Sequence, residues 1–451
     1  MAEVLPVGPY RTIVSVEGDE VPYYVIPFDK DGCCVGPRTL EHLLDAAAGF
    51  SDIFVFSHGW NNDWSAATQR YESFVNGWQA LRREFRLPMP AGYKPLLVGI
   101  FWPSQALAWF DSELAPAIAA CDPAAQDRYA NASSAVLRDV AEALPAAARA
   151  QFYALAQSDR LATADAQALA TLLAAAAHPD DEGVRDQPPT AQDLLTAAAT
   201  LEQPEPDYDE VGTATPGAAG VPLPRAAFSL GDVAAALDPR NIIKPFTVWH
   251  MKDRAGRVGH DGVAPMLEAL LSRSSARIHL IGHSYGCKIL MTALCAPASL
   301  ARKVESTLLL QPAVSQYAFA AQVPERDVPG GFARALGRVN QPIVATYSEN
   351  DWPLTRLFHL SVRRSDDLGE LQYAGDGTSP SRYGALGGFG PQACRARFVQ
   401  IQDAGGDYDF SDPSRVIGVD GTRTISGHGD ISSPSTWWLS YRLASAHGRP
   451  A

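Results

Sequence analysis

Ile278-His279-Leu280-Ile281-Gly282-His283-Ser284-Tyr285-Gly286 centres a serine in G-x-S-x-G, between an apolar run fit for a buried strand and a run fit for a helix. Ile278, Leu280 and Ile281 precede the motif, and Cys287, Ile289, Leu290, Ala293 and Leu294 follow at helical spacing. Strand, tight turn, helix is the expected local structure, with Ser284 on the turn as a candidate nucleophile. Glycine at 282 and 286 fits, because a side chain two residues either way from a sharp turn would meet the adjoining strand and helix. A helix starting just beyond Ser284 also brings backbone N–H groups close to any negative charge that develops on a substrate.

Working outward, apolar runs fit for strands recur at Tyr10 to Val16, Val21 to Phe28, Asp52 to Ser57, Leu96 to Phe101, Arg277 to Ile281, Ser306 to Leu310, Ile343 to Tyr347 and Arg397 to Ile401. Most from the third onward are continuously apolar. An α/β fold follows: a doubly wound, mostly parallel, eight-stranded sheet buried on both faces, its first two strands an antiparallel hairpin through Glu17-Gly18-Asp19-Glu20. Residues 1–106 and 245–451 are expected to form this core. Between them, 107–244 reads as a helical cap insertion: Ala-rich with Leu, Arg, Asp and Gln as far as Ala177, then an acidic, Pro-rich connector over 178–224. The segments from His250 to Gly259 and from Val263 to Leu271 read as core helices leading back to the serine strand.

Composition bounds the function. The 451 residues exceed the usual single-domain length, and 46% hydrophobic content supports a sizeable core. A formal net charge of −13 without a basic stripe argues against nucleic acid as a partner. Met1-Ala2-Glu3-Val4-Leu5-Pro6 lacks the basic start and apolar core of a Sec signal, and no apolar stretch is long enough to span a membrane. Six scattered cysteines do not make a disulfide framework, so a reduced, cytoplasmic setting is expected; the adjacent Cys33-Cys34 pair reads as a strand-end turn.

A serine hydroxyl needs a base, and the base needs a group that fixes its tautomer. The run from Ile343 to Tyr347 opens into Ser348-Glu349-Asn350-Asp351, which sets Asp351 in a loop at the C-terminal end of a strand, where open α/β sheets carry their sites. Glu349 is the rival acid. The preceding strand ends in Gln311-Pro312-Ala313, without an acid. Among ten histidines, His428 lies in Gly427-His428-Gly429, between the last strand candidate and a closing helix with Trp437 and Trp438. His359 sits among apolar neighbours and reads as packed, and His283 is expected to point away from Ser284.

The order Ser284, Asp351, His428 resembles that of the α/β-hydrolase superfamily, and Phe54-Val55-Phe56-Ser57-His58-Gly59-Trp60-Asn61-Asn62 looks like the third-strand HG loop of its bacterial esterase and lipase members. The resemblance spans residues 50–106 and 245–440. It implies an oxyanion hole made by the backbone N–H groups of Trp60 and Tyr285, and substrate contacts from His58, Gly59, Trp64 and Trp102. The expected activity is cleavage of a carboxylic ester, an acyl ester or lipid, through an acyl-enzyme without metal or cofactor. Trp60, Trp64, Trp102 and Trp109, with the insertion as a lid, suit an apolar substrate cleft. Two departures stand out: the loop lacks HGGG, and the span from Asp351 to His428 is long and Gly-rich.

Other motifs fail on context. The glycine spacing before Lys288 does not fit a P-loop, Gly388-Phe389-Gly390 precedes a strand instead of a helix, and Asp407, Asp409 and Asp412 lack the glycine and glutamate of a calcium loop. Alternative readings are a phospholipase or lipase delivered to other cells, and a non-catalytic scaffold binding a partner through the insertion.

Overall fold

The computed structural model describes residues 7–104, 134–177, 188–201, 237–358 and 383–446, apart from Glu325, Asp327 and Asp412. Trp109, His359 and most of the acidic connector lie outside the described residues. Strands β1 (Arg11–Val14), β2 (Glu20–Pro27), β3 (Asp52–Ser57), β4 (Pro95–Phe101), β5 (Arg277–His283), β6 (Ser306–Leu310), β7 (Ile343–Tyr347), β8 (Ala396–Gln400) and β9 (Val416–Asp420) form one sheet in the order β1-β2-β4-β3-β5-β6-β7-β9-β8. Only β1 and β2 pair antiparallel, as the hairpin reading expects; all other pairs are parallel.

Helices cover both faces. On one lie α1 (Pro37–Ala46) and three helices met later in the chain, α7 (Pro239–Arg257), α8 (Ala264–Arg273) and α9 (Tyr285–Cys295). On the other lie α2 (Trp64–Phe85) and the last helix, α10 (Pro434–Ser445). Strand β3 shows why both faces must be covered: Ile53 and Val55 join the first apolar cluster, whereas Phe54 and Phe56 join the second. Side chains alternate across a strand, so a continuously apolar run can be satisfied only in the middle of such a sandwich.

The sheet has nine strands, not eight. Val416–Asp420 pairs between β7 and β8, so the run from Arg397 to Ile401 forms not the final strand of the chain but an edge strand held by β9 alone. The missed strand is short and carries Gly418, which weakens the apolar signal. The packing requires that glycine, since a Cβ there would lie 2.8 Å from Pro391 Cδ.

Within the expected insertion, α3 (residues 134–143), α4 (Arg149–Ala156), α5 (Thr163–Ala174) and α6 (Ala191–Leu201) pack with the start of α7 around a small core of their own, including Val140, Phe152, Leu169, Leu194 and Phe246. Helix α7 runs unbroken across positions 244 and 245, so insertion and sheet share one rod. Arg254 fastens them: one Nη donates to Asp139 Oδ1 at 2.6 Å, the other to the Pro103 carbonyl at 3.0 Å. Among the described residues no helix is long and apolar enough to cross a membrane.

Candidate active site

Ser284 stands between β5 and α9 with φ 54° and ψ −124°, a conformation that non-glycine residues rarely hold and that costs of order 1–3 kcal/mol. The flanking glycines make the turn possible. A Cβ on Gly286 would lie 2.1 Å from the Ser57 carbonyl oxygen, and one on Gly282 would lie 2.8 Å from Cys287 Cα. In-register pairing of Gly282 with Ser57 brings the exit of β3 directly beside the serine. Gly59 then lies against it, with room for no side chain: its Cβ would be 2.7 Å from Ser284 Cβ.

His428 Nε2 is 2.8 Å from Ser284 Oγ, and His428 Nδ1 is 2.8 Å from Asp351 Oδ2. An ionised carboxylate can only accept, so Nδ1 carries the proton and Nε2 offers its lone pair to the serine hydroxyl. Asp351 is fully buried, and its other oxygen accepts from the Leu354 N–H at 3.1 Å. The acid loop and histidine loop are also tied directly: Asn350 Nδ2 donates to the Thr422 and Ile425 carbonyls, and Ser348 Oγ donates to Ile425. Glu349 is exposed, and its backbone N–H goes to Thr422 Oγ1.

Behind this chain lie two residues the sequence reading did not assign to the site. Gln311 has φ 45° at the end of β6, and its Nε2 donates to Asp351 Oδ2 and to the Gly427 carbonyl, both at 2.9 Å. His283 lies 2.8 Å, through Nε2, from the His428 carbonyl oxygen, so that nitrogen must carry a proton. Burial pushes His283 well below the ordinary histidine range, and the charges of His428 and Arg70 push in the same direction. A neutral His283 therefore holds the backbone of the histidine loop without adding a charge beside His428.

The loop after β3 is anchored just as closely. Trp102 N donates to His58 Nε2 at 3.3 Å, so His58 Nδ1 carries the hydrogen and donates to the Gly59 carbonyl at 2.8 Å. Burial lowers the His58 pKa to about 4, with the Gly59 hydrogen bond opposing, so the ring stays neutral. Asn62 Nδ2 donates to the Gly59 and Trp60 carbonyls at 3.0 and 2.8 Å. The Trp60 and Tyr285 rings meet with centroids 6.0 Å apart.

Ser284, Asp351, His428, Gly59, Trp60 and Tyr285 are thus brought together. His58 and Trp102, expected as substrate contacts, lie inside the loop packing. Both are buried, Trp102 stacks on His58 and donates through Nε1 to the His58 carbonyl at 3.0 Å, and their polar atoms are used in supporting the loop. Trp64 packs against Tyr10 and Phe101 at the start of α2. Gln311 was passed over because an amide is no acid, and Asn62 because its role appears only once its loop has closed. No family model, curated protein or solved structure matches the chain.

Proposed function

We propose that the chain is a serine hydrolase of the α/β-hydrolase superfamily, esterase- or lipase-like, cleaving a carboxylic ester through an acyl-enzyme. The observation that carries this reading is the continuous hydrogen-bonded chain from Ser284 Oγ through the His428 ring to Asp351, 2.8 Å at each step. It is supported by the positions of the three residues along the sheet: serine after β5, acid after β7, and histidine between β9 and the closing helix.

In the reaction, His428 Nε2 takes the Ser284 proton as Oγ attacks the ester carbonyl carbon. Asp351 holds the imidazole in the tautomer that can do this and stabilises the imidazolium formed. The oxyanion rests on the Trp60 and Tyr285 N–H groups. In a planar trans peptide the C=O and following N–H point in opposite directions. Capture of the Gly59 carbonyl by His58 and Asn62 therefore turns the Trp60 N–H the other way. Tyr285 opens α9, where N–H groups have no intrahelical acceptor. Each such donor is worth about 2.7–4 kcal/mol in the transition state. The intermediate collapses, His428 protonates the departing alkoxide, and water activated by the same nitrogen hydrolyses the acyl-serine.

A fluorophosphonate probe should label folded protein at Ser284, located by peptide mass spectrometry, and Ser284→Ala should abolish both labelling and hydrolysis of acyl nitrophenyl esters. Equal rates in wild type and Ser284→Ala would refute the assignment.

A further inference from the structure

Arg70, in the second turn of α2, stands between the two loops that flank the serine. Its Nε donates to Asn62 Oδ1 at 2.8 Å, and Asn62 in turn holds the Gly59 and Trp60 carbonyls. On the other side the guanidinium lies over Gly429, next to His428: a Cβ there would be 3.7 and 3.8 Å from the two Nη atoms. Among the described residues Arg70 makes no ion pair, and its one hydrogen bond is that to Asn62. Other enclosed arginines have their Nη groups engaged: Arg254 pairs with Asp139, Arg277 with Asp52 and Arg82 with Glu17, while Arg302, Arg338 and Arg415 donate to backbone carbonyls. The Arg70 charge is also felt inside the site, since it lowers the pKa of both His58 and His283.

A guanidinium oriented through Nε and left with two Nη groups presents the fork that binds planar or tetrahedral oxyanions in two-point fashion. We infer that Arg70 is an anion-binding subsite of the Ser284 centre, receiving a carboxylate or phosphate group carried by the ester substrate. This rests on the hydrolase reading and deepens it: the substrate class becomes an anionic ester. Asn62 couples the two functions, because the amide that anchors the oxyanion loop also orients the guanidinium.

Three substrates test it: a neutral nitrophenyl butyrate, a nitrophenyl succinate monoester with its carboxylate on the acyl side, and a butyryl glycerophosphate with its phosphate on the alcohol side. Wild type should favour at least one anionic ester in kcat/KM, and which one identifies the anion. Arg70→Gln should cut that anionic-to-neutral ratio roughly tenfold, chiefly through KM, the size expected of one charge-assisted contact. Arg70→Lys should recover part of it. Binding of succinate and inorganic phosphate, measured by calorimetry, reads the subsite without turnover, and Arg70→Gln should weaken it to a similar extent. Anion binding that depends on Arg70 in a protein with no Ser284-dependent hydrolysis would sink the hydrolase reading and leave the subsite standing. An unchanged ratio, or anion binding equal in wild type and Arg70→Gln, would overturn the subsite.

Discussion

Gln311 Nε2 donates to Asp351 Oδ2 at 2.9 Å, on the same oxygen that receives His428 Nδ1 at 2.8 Å. Through its second bond, to the Gly427 carbonyl, the same amide grips the histidine loop 116 residues further along the chain. In the proposed hydrolase Gln311 is therefore a positioning residue, its amide bridging Asp351 and the loop that carries His428. In Gln311→Ala the Gly427 carbonyl and the Asp351 carboxylate each lose a donor in a buried setting, a loss of about 1–3 kcal/mol. Ester hydrolysis should fall roughly tenfold in kcat with KM nearly unchanged. Gln311→Glu should be worse than the alanine variant, because it faces one carboxylate with another. Steady-state kinetics of the two variants decide it, and a Glu variant as active as wild type would remove Gln311 from the role.

The positive φ of Ser284 makes a separate stability prediction. Glycine holds φ 54° without the penalty a Cβ carries, whereas alanine keeps the strain and loses the hydroxyl. Ser284→Gly should therefore be more stable than Ser284→Ala by about 1 kcal/mol in urea denaturation, with both inactive. An alanine variant at least as stable as the glycine variant would show that the turn stores no strain.

Gly286→Ala sets a new methyl 2.1 Å from Ser57 O and 2.6 Å from His58 O, both backbone atoms that no rotamer change can move aside. Strand β3 or helix α9 must shift, and the variant should lose about 2–4 kcal/mol together with the ester hydrolysis proposed for the chain. Gly427→Ala is the control, because no atom lies within 4 Å of the added Cβ. Its stability should stay within about 0.5 kcal/mol of wild type. Paired denaturation curves measure both.

What could be read from the sequence was local. β3 carries the apolar run Ile53 to Phe56 and β5 carries Ile278, Leu280 and Ile281, so each is visible alone, and Ser284, Asp351 and His428 each sit in a strand-end or Gly-flanked loop with its own signature. β9 was missed because Gly418 interrupts it and its place is set by β7 and β8, neighbours that only the folded sheet supplies. The same holds for the site. Gln311 meets Gly427, and Arg70 reaches Gly429, only after β6, α2 and the histidine loop have converged. His58 was assigned to substrate because the HG pattern marks the loop, yet the pattern does not reveal that Trp102 covers the ring.

His58 gives the fold a pH dependence whose sign can be worked out. Its folded pKa is about 4 against 6.5 unperturbed, so between these values the unfolded chain binds a proton that the native ring refuses. Stability from this group is complete above pH 6.5 and is lost as pH falls towards 4, at about 1.4 kcal/mol per unit. His279 and His283, both lowered chiefly by burial, add to the loss in the same direction. Asp52 has its pKa lowered despite burial, because His279 and Ser51 donate to it, so its contribution disappears only below the ordinary carboxylate range. Urea unfolding of wild type should therefore weaken between pH 6.5 and 4. His58→Gln keeps a donor and an acceptor but does not titrate, so it should be less stable at pH 8 yet show a shallower decline across that window. Parallel slopes for the two proteins would mean that His58 is protonated in the native state, which the bond from Trp102 N to its Nε2 does not allow.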